Sequence, residues 1–258
     1  MVYKSIIVDT DTAVCTIFLN RPEVLNALNQ NMFCEIYDAL DNIEHDSNIK
    51  AVVITGSGDK AFSAGADINE MLVKADAKTG LPEKTTEQTW LPWKIASFPK
   101  PVIGAINGLA YGGGAVIASS VDIRIGCELS KFRFLAASYG RLNATWSLPM
   151  QVGWPVAKEL LFTARILSAH EALKIGMLNY LVDIDQVLTK AKSIAMQIAD
   201  NDPNMVAGIK ELLINHVGAT WPEMFEMELD LVSGKLRPTP VAEGFKEFLE
   251  RKGKIQPH

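Results

Sequence analysis

Apolar and polar positions alternate in Lys4-Ser5-Ile6-Ile7-Val8 and again in Ala13-Val14-Cys15-Thr16-Ile17-Phe18-Leu19, with turn-prone Asp9-Thr10-Asp11-Thr12 between them. That pattern predicts a β-hairpin. Asn20-Arg21-Pro22-Glu23 interrupts it. From Leu25 to Glu44 the apolar residues Leu28, Met32, Ile36, Leu40 and Ile43 recur at helical spacing, so a long amphipathic helix is expected there. Ala51-Val52-Val53-Ile54-Thr55 is a short continuous apolar run of the kind found in strands covered on both faces. Strand, helix and strand in succession place the chain in the α/β class.

Gly56-Ser57-Gly58-Asp59-Lys60-Ala61 then matches GxGxxA behind a strand. A dinucleotide loop should open directly into a helix. Here a second small-residue turn, Phe62-Ser63-Ala64-Gly65-Ala66, comes first, so that reading is rejected. Asp67 and Glu70 have the spacing of a helix-start cap. Residues 74 to 90 are polar and punctuated by Gly80 and Pro82, as in a mobile surface segment, and Trp90-Leu91-Pro92-Trp93 anchors the chain again.

The most informative stretch runs from Lys100 to Asp122. It reads as a strand (Pro101, Val102, Ile103), a glycine turn (Gly112-Gly113-Gly114) and a buried helix of small apolar residues. The first helical turn has N–H groups without intrahelical partners, and glycine lets a ligand approach them closely. Such a turn suits an anion, or an oxygen that becomes one. Ile123-Arg124-Ile125-Gly126 and Lys131-Phe132-Arg133-Phe134 read as further strands. Ser168-Ala169-His170-Glu171 is a capping box, Gly176 closes its helix, and Met177 to Val182 follow as a strand or buried turn. Residues 187 to 215 read as helix, break at Asn201-Asp202-Pro203, helix, and the tail from Trp221 to Lys252 is helical apart from Pro238 and Pro240. The organisation expected is a core over residues 1–200 and a C-terminal helical region over 201–258.

Composition narrows this picture. With 258 residues and 48% hydrophobic content the chain can bury a large core. A net charge of −5 without a long basic run argues against a nucleic-acid surface. Cys15, Cys34 and Cys127 are widely spaced thiols without a CxxC, as in a reducing compartment. No apolar run approaches a membrane span and the first residues lack signal-peptide character, so a cytoplasmic protein with no membrane partner is expected. Four scattered histidines propose neither a metal site nor a catalytic triad.

Four segments carry a resemblance: Asn20-Arg21-Pro22 with Leu25-Asn26-Ala27-Leu28; Ala61 to Ile68; Lys100-Pro101 through Gly112-Gly113-Gly114 to Asp122; and Gly176-Met177-Leu178-Asn179. In order and spacing they resemble the crotonase (enoyl-CoA hydratase/isomerase) superfamily over nearly the whole chain. The resemblance implies a crotonase-like spiral of ββα units, C-terminal helices that mediate homotrimers or hexamers, and an acyl-CoA thioester ligand. No separate cofactor is implied, since coenzyme A enters as part of the substrate. It also implies that the backbone N–H groups of Ala66 and Gly113 form an oxyanion hole. Val24, Leu25, Ala27, Ala64 and Ile68 would line the CoA channel, with Asp67 beside them.

The same resemblance exposes departures. Family hydratases carry one glutamate a turn beyond the glycines and another 20 residues later, and these positions correspond to Val116 and Ala136. The loop Gly140 to Pro149 is shorter and less glycine-rich than the family's, which reshapes the acyl pocket. Polar or aromatic groups able to enter it are Tyr111, Ser138, Tyr139, Arg141, Asn143, Thr145 and Trp146, with Glu70 or Glu87 from the preceding segment. Asn143 falls near the tyrosine of the family's methylmalonyl-CoA decarboxylases, which also lack both glutamates. Asn143 and Tyr111 are therefore the candidate catalytic side chains, and Val116, Ala136, Tyr139 and Trp146 the candidate acyl-pocket lining.

Overall fold

The computed structural model describes residues 3–77, 87–246 and 248. Within Met1–Pro203, which forms one compact unit, the predicted hairpin is β1 (Ile6–Asp11) against β2 (Val14–Leu19), paired antiparallel from Ile6↔Leu19 to Asp11↔Val14. β2 then pairs in parallel with β3 (Ala51–Gly56), β3 with β5 (Val102–Ile106), β5 with β7 (Ile123–Gly126) and β7 with β10 (Tyr180–Leu181). The result is a six-stranded sheet, β1-β2-β3-β5-β7-β10. A second sheet, β4-β6-β8-β9, is built from β4 (Ala61–Ser63), β6 (Leu109–Tyr111), β8 (Lys131–Arg133) and β9 (Leu167–Ser168).

β3 shows why a continuous apolar run was expected to be covered on both faces. Val52 and Ile54 join the core formed with α1 (Gln30–His45), while Ala51 and Val53 join Val187, Ala191, Ile194 and Ala195 of α8 (Val187–Ala199). The remaining helices of this unit are α2 (Ile68–Ala77), α3 (Glu87–Ala96), α4 (Gly113–Ser120), α5 (Leu148–Val152), α6 (Trp154–Thr163) and α7 (Ala169–Lys174).

Two elements differ from the sequence reading, and a third takes a definite form. α1 begins at Gln30 rather than Leu25, because Leu25 and Asn26 both adopt φ +55° and Asn29 caps the helix by accepting from the Met32 N–H at 2.9 Å. The tryptophan cluster, read from sequence only as an anchor, is helical, with Pro92 inside α3; the Trp90 and Glu87 side chains fall outside the described ones. At Ser168 the hydroxyl accepts from the Glu171 N–H as expected, but the Glu171 carboxylate grips Arg165 at 2.5 and 2.9 Å rather than closing the box. Much of the polar segment expected to be mobile lies outside the described residues.

The second compact unit, Asn204–His258, contains most of α9 (Pro203–Asn215), α10 (Trp221–Ser233) and α11 (Val241–Gly244). Thr220 and Glu223 form a reciprocal capping box at the start of α10. Trp221, Phe225 and Leu229 stand exposed along α10 at four-residue spacing. Among the described residues, no helix is long and apolar enough to cross a membrane.

Candidate active site

Two turns meet beyond the ends of β4 and β6, which pair in parallel. In the first, Leu28 donates its N–H to the Gly65 carbonyl (2.8 Å) and accepts from the Asp67 N–H (2.9 Å), forming a parallel bridge with Ala66. Alternation along such a bridge turns the Ala66 N–H away from Leu28. In the second, Gly112 holds φ +48°, ψ −117°, a conformation open to glycine, while its N–H donates to the Arg133 carbonyl at 2.9 Å. Gly113 opens α4, so its N–H has no intrahelical acceptor.

The turns touch. A Cβ placed on Gly113 would stand 3.5 Å from the Ala66 nitrogen, and one placed on Gly65 would stand 2.9 Å from the Gly113 nitrogen and 2.6 Å from the Tyr111 carbonyl oxygen. Gly65 has φ +93°. Ala66 is exposed and Gly113 half-buried, and neither N–H has an acceptor among the described residues. Two donors from separate segments therefore lie close together. Two such donors, aimed at one oxygen, can stabilise negative charge on it.

Side chains not assigned a role from sequence hold the first turn in place. Asn26, fully buried, accepts from the Arg21 N–H (3.0 Å) and donates to the Ser57 and Ala61 carbonyls (2.9 Å each). Ser63, also fully buried, donates to the Asn26 carbonyl (2.8 Å) and accepts from the Gly65 N–H (3.1 Å). Both residues lie within the quoted motifs, and their polar character in otherwise apolar runs was the available signal. The second turn is pressed down by Gly114, where a Cβ would fall 2.3 Å from the Ser63 carbonyl oxygen.

The CoA-channel candidates gather beside the first turn. Ala64 donates its N–H to the Leu25 carbonyl (2.9 Å), and Ala27 donates to that of Val24 (3.1 Å). Val24 and Ile68 expose their apolar side chains. Asp67 is structurally engaged. Its carboxylate pairs with the Arg21 guanidinium at 2.9 Å, which also donates to the Ala27 carbonyl, and the Arg21 hydrogen bond holds the Asp67 carboxyl below the usual aspartate range. Glu70 accepts from the Gln30 N–H at 2.8 Å, tying α2 to the start of α1.

On the other side, Val116 lies one turn into α4 and is buried, as is Ala136, three residues past Arg133. Ala136 accepts from the N–H groups of Tyr139 (3.1 Å) and Arg141 (2.8 Å). Tyr111 is half-buried, while Ser138, Tyr139, Arg141 and Thr145 are exposed. Trp146 packs edge-on against Trp93 with ring centres 5.8 Å apart. Behind α4, Arg124 is 2% exposed and donates to the carbonyls of Met177 and Val121 and to Gln151 Oε1, each at 2.6 Å; burial pushes its pKa down to about 10. His45 bonds the Asp41 carbonyl and His170 pairs with Glu128 on the surface. Among the described residues no cluster of His, Cys, Asp and Glu could hold a metal.

This architecture is the crotonase fold. The chain superposes on the crystal structure of an enoyl-CoA hydratase from Bacillus anthracis with a TM-score of 0.87 at 31% identity, covering 96% of this chain and 97% of that one. Among curated proteins, the chain is 32% identical to a crotonyl-CoA hydratase of Syntrophomonas wolfei (98% and 97% covered) and 36% identical to a short-chain-enoyl-CoA hydratase of Clostridium acetobutylicum (83% and 82%). The enoyl-CoA hydratase/isomerase family model matches residues 9–256, and the chain belongs to that enzyme family.

Proposed function

We propose that this protein acts on an acyl-CoA thioester by stabilising an enolate at the N–H groups of Ala66 and Gly113. The carrying observation is the pair of accessible N–H groups, on two touching turns, that have no acceptor among the described residues. A thioester carbonyl placed between them gains stabilisation as charge moves onto its oxygen, and one such donor is typically worth about 10²–10³ in rate. Coenzyme A arrives as part of the substrate, along Val24 to Ala27 and Ala64 to Ile68.

The apolar side chains of Val116 and Ala136 point the chemistry away from hydration by a glutamate pair. General acid–base groups contribute about 10²–10⁴ in rate, and neither residue can supply one. Decarboxylation of a malonyl-type thioester needs the hole and an apolar pocket that desolvates the departing carboxylate. That second reading is favoured by the burial of both residues. The exposed stripe Trp221, Phe225 and Leu229 supports assembly as a homotrimer or hexamer through the C-terminal helices.

Incubation with saturated, enoyl and malonyl-type CoA thioesters in heavy water, followed by mass spectrometry, tests the proposal. Deuterium at the α-carbon or loss of CO₂ is expected. Thioesters that bind and return unchanged would make the protein a CoA-thioester binder without enolate chemistry.

A further inference from the structure

The segment between Ala136 and Ser147 contains two adjacent irregularities. The Asn143 side-chain oxygen is buried from solvent with no hydrogen-bond partner among the described residues, and Ala144, 1% exposed, holds φ +57°. A buried acceptor without a donor and a left-handed non-glycine residue each cost stability, and costs of this kind gather at functional sites.

The segment that carries them is tied to the rest of the fold at three points. Arg141 donates its N–H to the Ala136 carbonyl at 2.8 Å, Trp146 rests on Trp93, and Ser147 meets the hydroxyl of Ser119 on α4 at 2.8 Å. Both serines are buried, and Ser119 also donates to the Val116 carbonyl at 2.9 Å. Asn143 is thus held on a strap running from Ala136 to the helix that carries Gly113 and Val116. Asn143 as a whole is only half-buried, so part of the residue faces accessible space.

We propose that Asn143 is a specificity-determining residue, selecting acyl-CoA thioesters whose acyl chain carries a hydrogen-bond donor such as a hydroxyl. The proposal rests on the acyl-CoA reading of the Ala66–Gly113 site. A donor on the acyl group pairs with the carboxamide oxygen, whereas a plain alkyl chain leaves it unmatched, and discrimination built on an unmade buried hydrogen bond is the strong kind.

The test measures binding of butyryl-CoA and of its 2-, 3- and 4-hydroxy derivatives by calorimetry. At least one hydroxy compound is expected to bind about tenfold more tightly than butyryl-CoA, a ratio within the reach of one unmade bond. Asn143→Leu, similar in size and lacking the acceptor, should bring that ratio to about one. Circular dichroism checks the variant's fold, and the wild-type ratio stands as a measurement without it. Equal binding of all four thioesters by the wild type, or a preference retained in the leucine variant, overturns the role of Asn143 and leaves the acyl-CoA reading intact. Failure of all four to bind overturns the acyl-CoA reading, and this proposal with it.

Discussion

Gly65→Ala tests whether the two turns must touch for the site to work. The added Cβ would fall 2.6 Å from the Tyr111 carbonyl oxygen and 2.9 Å from the Gly113 nitrogen. Both are backbone atoms, so no side chain can swing aside. An ordinary carbon–oxygen contact is about 3.3 Å, which requires the turns to separate by roughly 0.7 Å. The backbone at φ +93° adds strain of about 1–2 kcal/mol for any residue with a Cβ. A destabilisation of about 2–4 kcal/mol follows, within what a large single-site effect amounts to. The functional effect is larger in proportion, since a misplacement near 1 Å can cost about 10²-fold. Thermal unfolding followed by circular dichroism gives the first quantity, and the rate of α-deuterium incorporation into a bound thioester gives the second. A folded variant that exchanges as fast as the wild type would show that Ala66 and Gly113 do not act on the same oxygen.

Three further predictions follow from the same geometry. Gly113→Pro removes one donor at a helix position where proline is tolerated, so enolate exchange should fall about 10²–10³-fold in folded protein; unchanged exchange refutes the assigned donor. Asn26→Ala strips three hydrogen bonds from a buried side chain and should cost about 3–5 kcal/mol in urea unfolding, whereas a loss below about 1 kcal/mol would mean that water replaces the amide. Because Arg21 lowers the folded-state pKa of Asp67, their pair stabilises the fold above the ordinary aspartate range near pH 4 and loses that contribution as pH falls through the folded value. The stability gap between wild type and Asp67→Asn should therefore shrink on acidification, and a gap constant from pH 7 to pH 2 would exclude this linkage.

Periodicity made the large sheet legible. Alternation in β1 and β2 and the continuous run of β3 reflect burial on one face or two, which a sequence records directly. The start of α1 was misplaced because Leu28 has the spacing of a helical residue but spends its backbone on Gly65 and Asp67. Short β6 was invisible, since three residues, Leu109 to Tyr111, carry no period and are strand through pairing with β4 and β8. For the site, the glycines announced close backbone approach. They could not announce what approaches, because the contact between Gly65 and Gly113 joins residues far apart in sequence. Asn143 was visible as a polar residue in a reshaped loop, but its unmatched oxygen depends on everything packed around it.

A pair of peptide N–H groups has no ionisation in the range where proteins stay folded. The Ala66 and Gly113 donors are therefore equally available in acid and in mild alkali, for as long as Asn26 and Ser63 hold the turn. On the proposed reading, Val116 and Ala136 are hydrocarbon and bring no titration of their own to the reaction. Any bend in a plot of rate against pH would then belong to the substrate, or to another side chain.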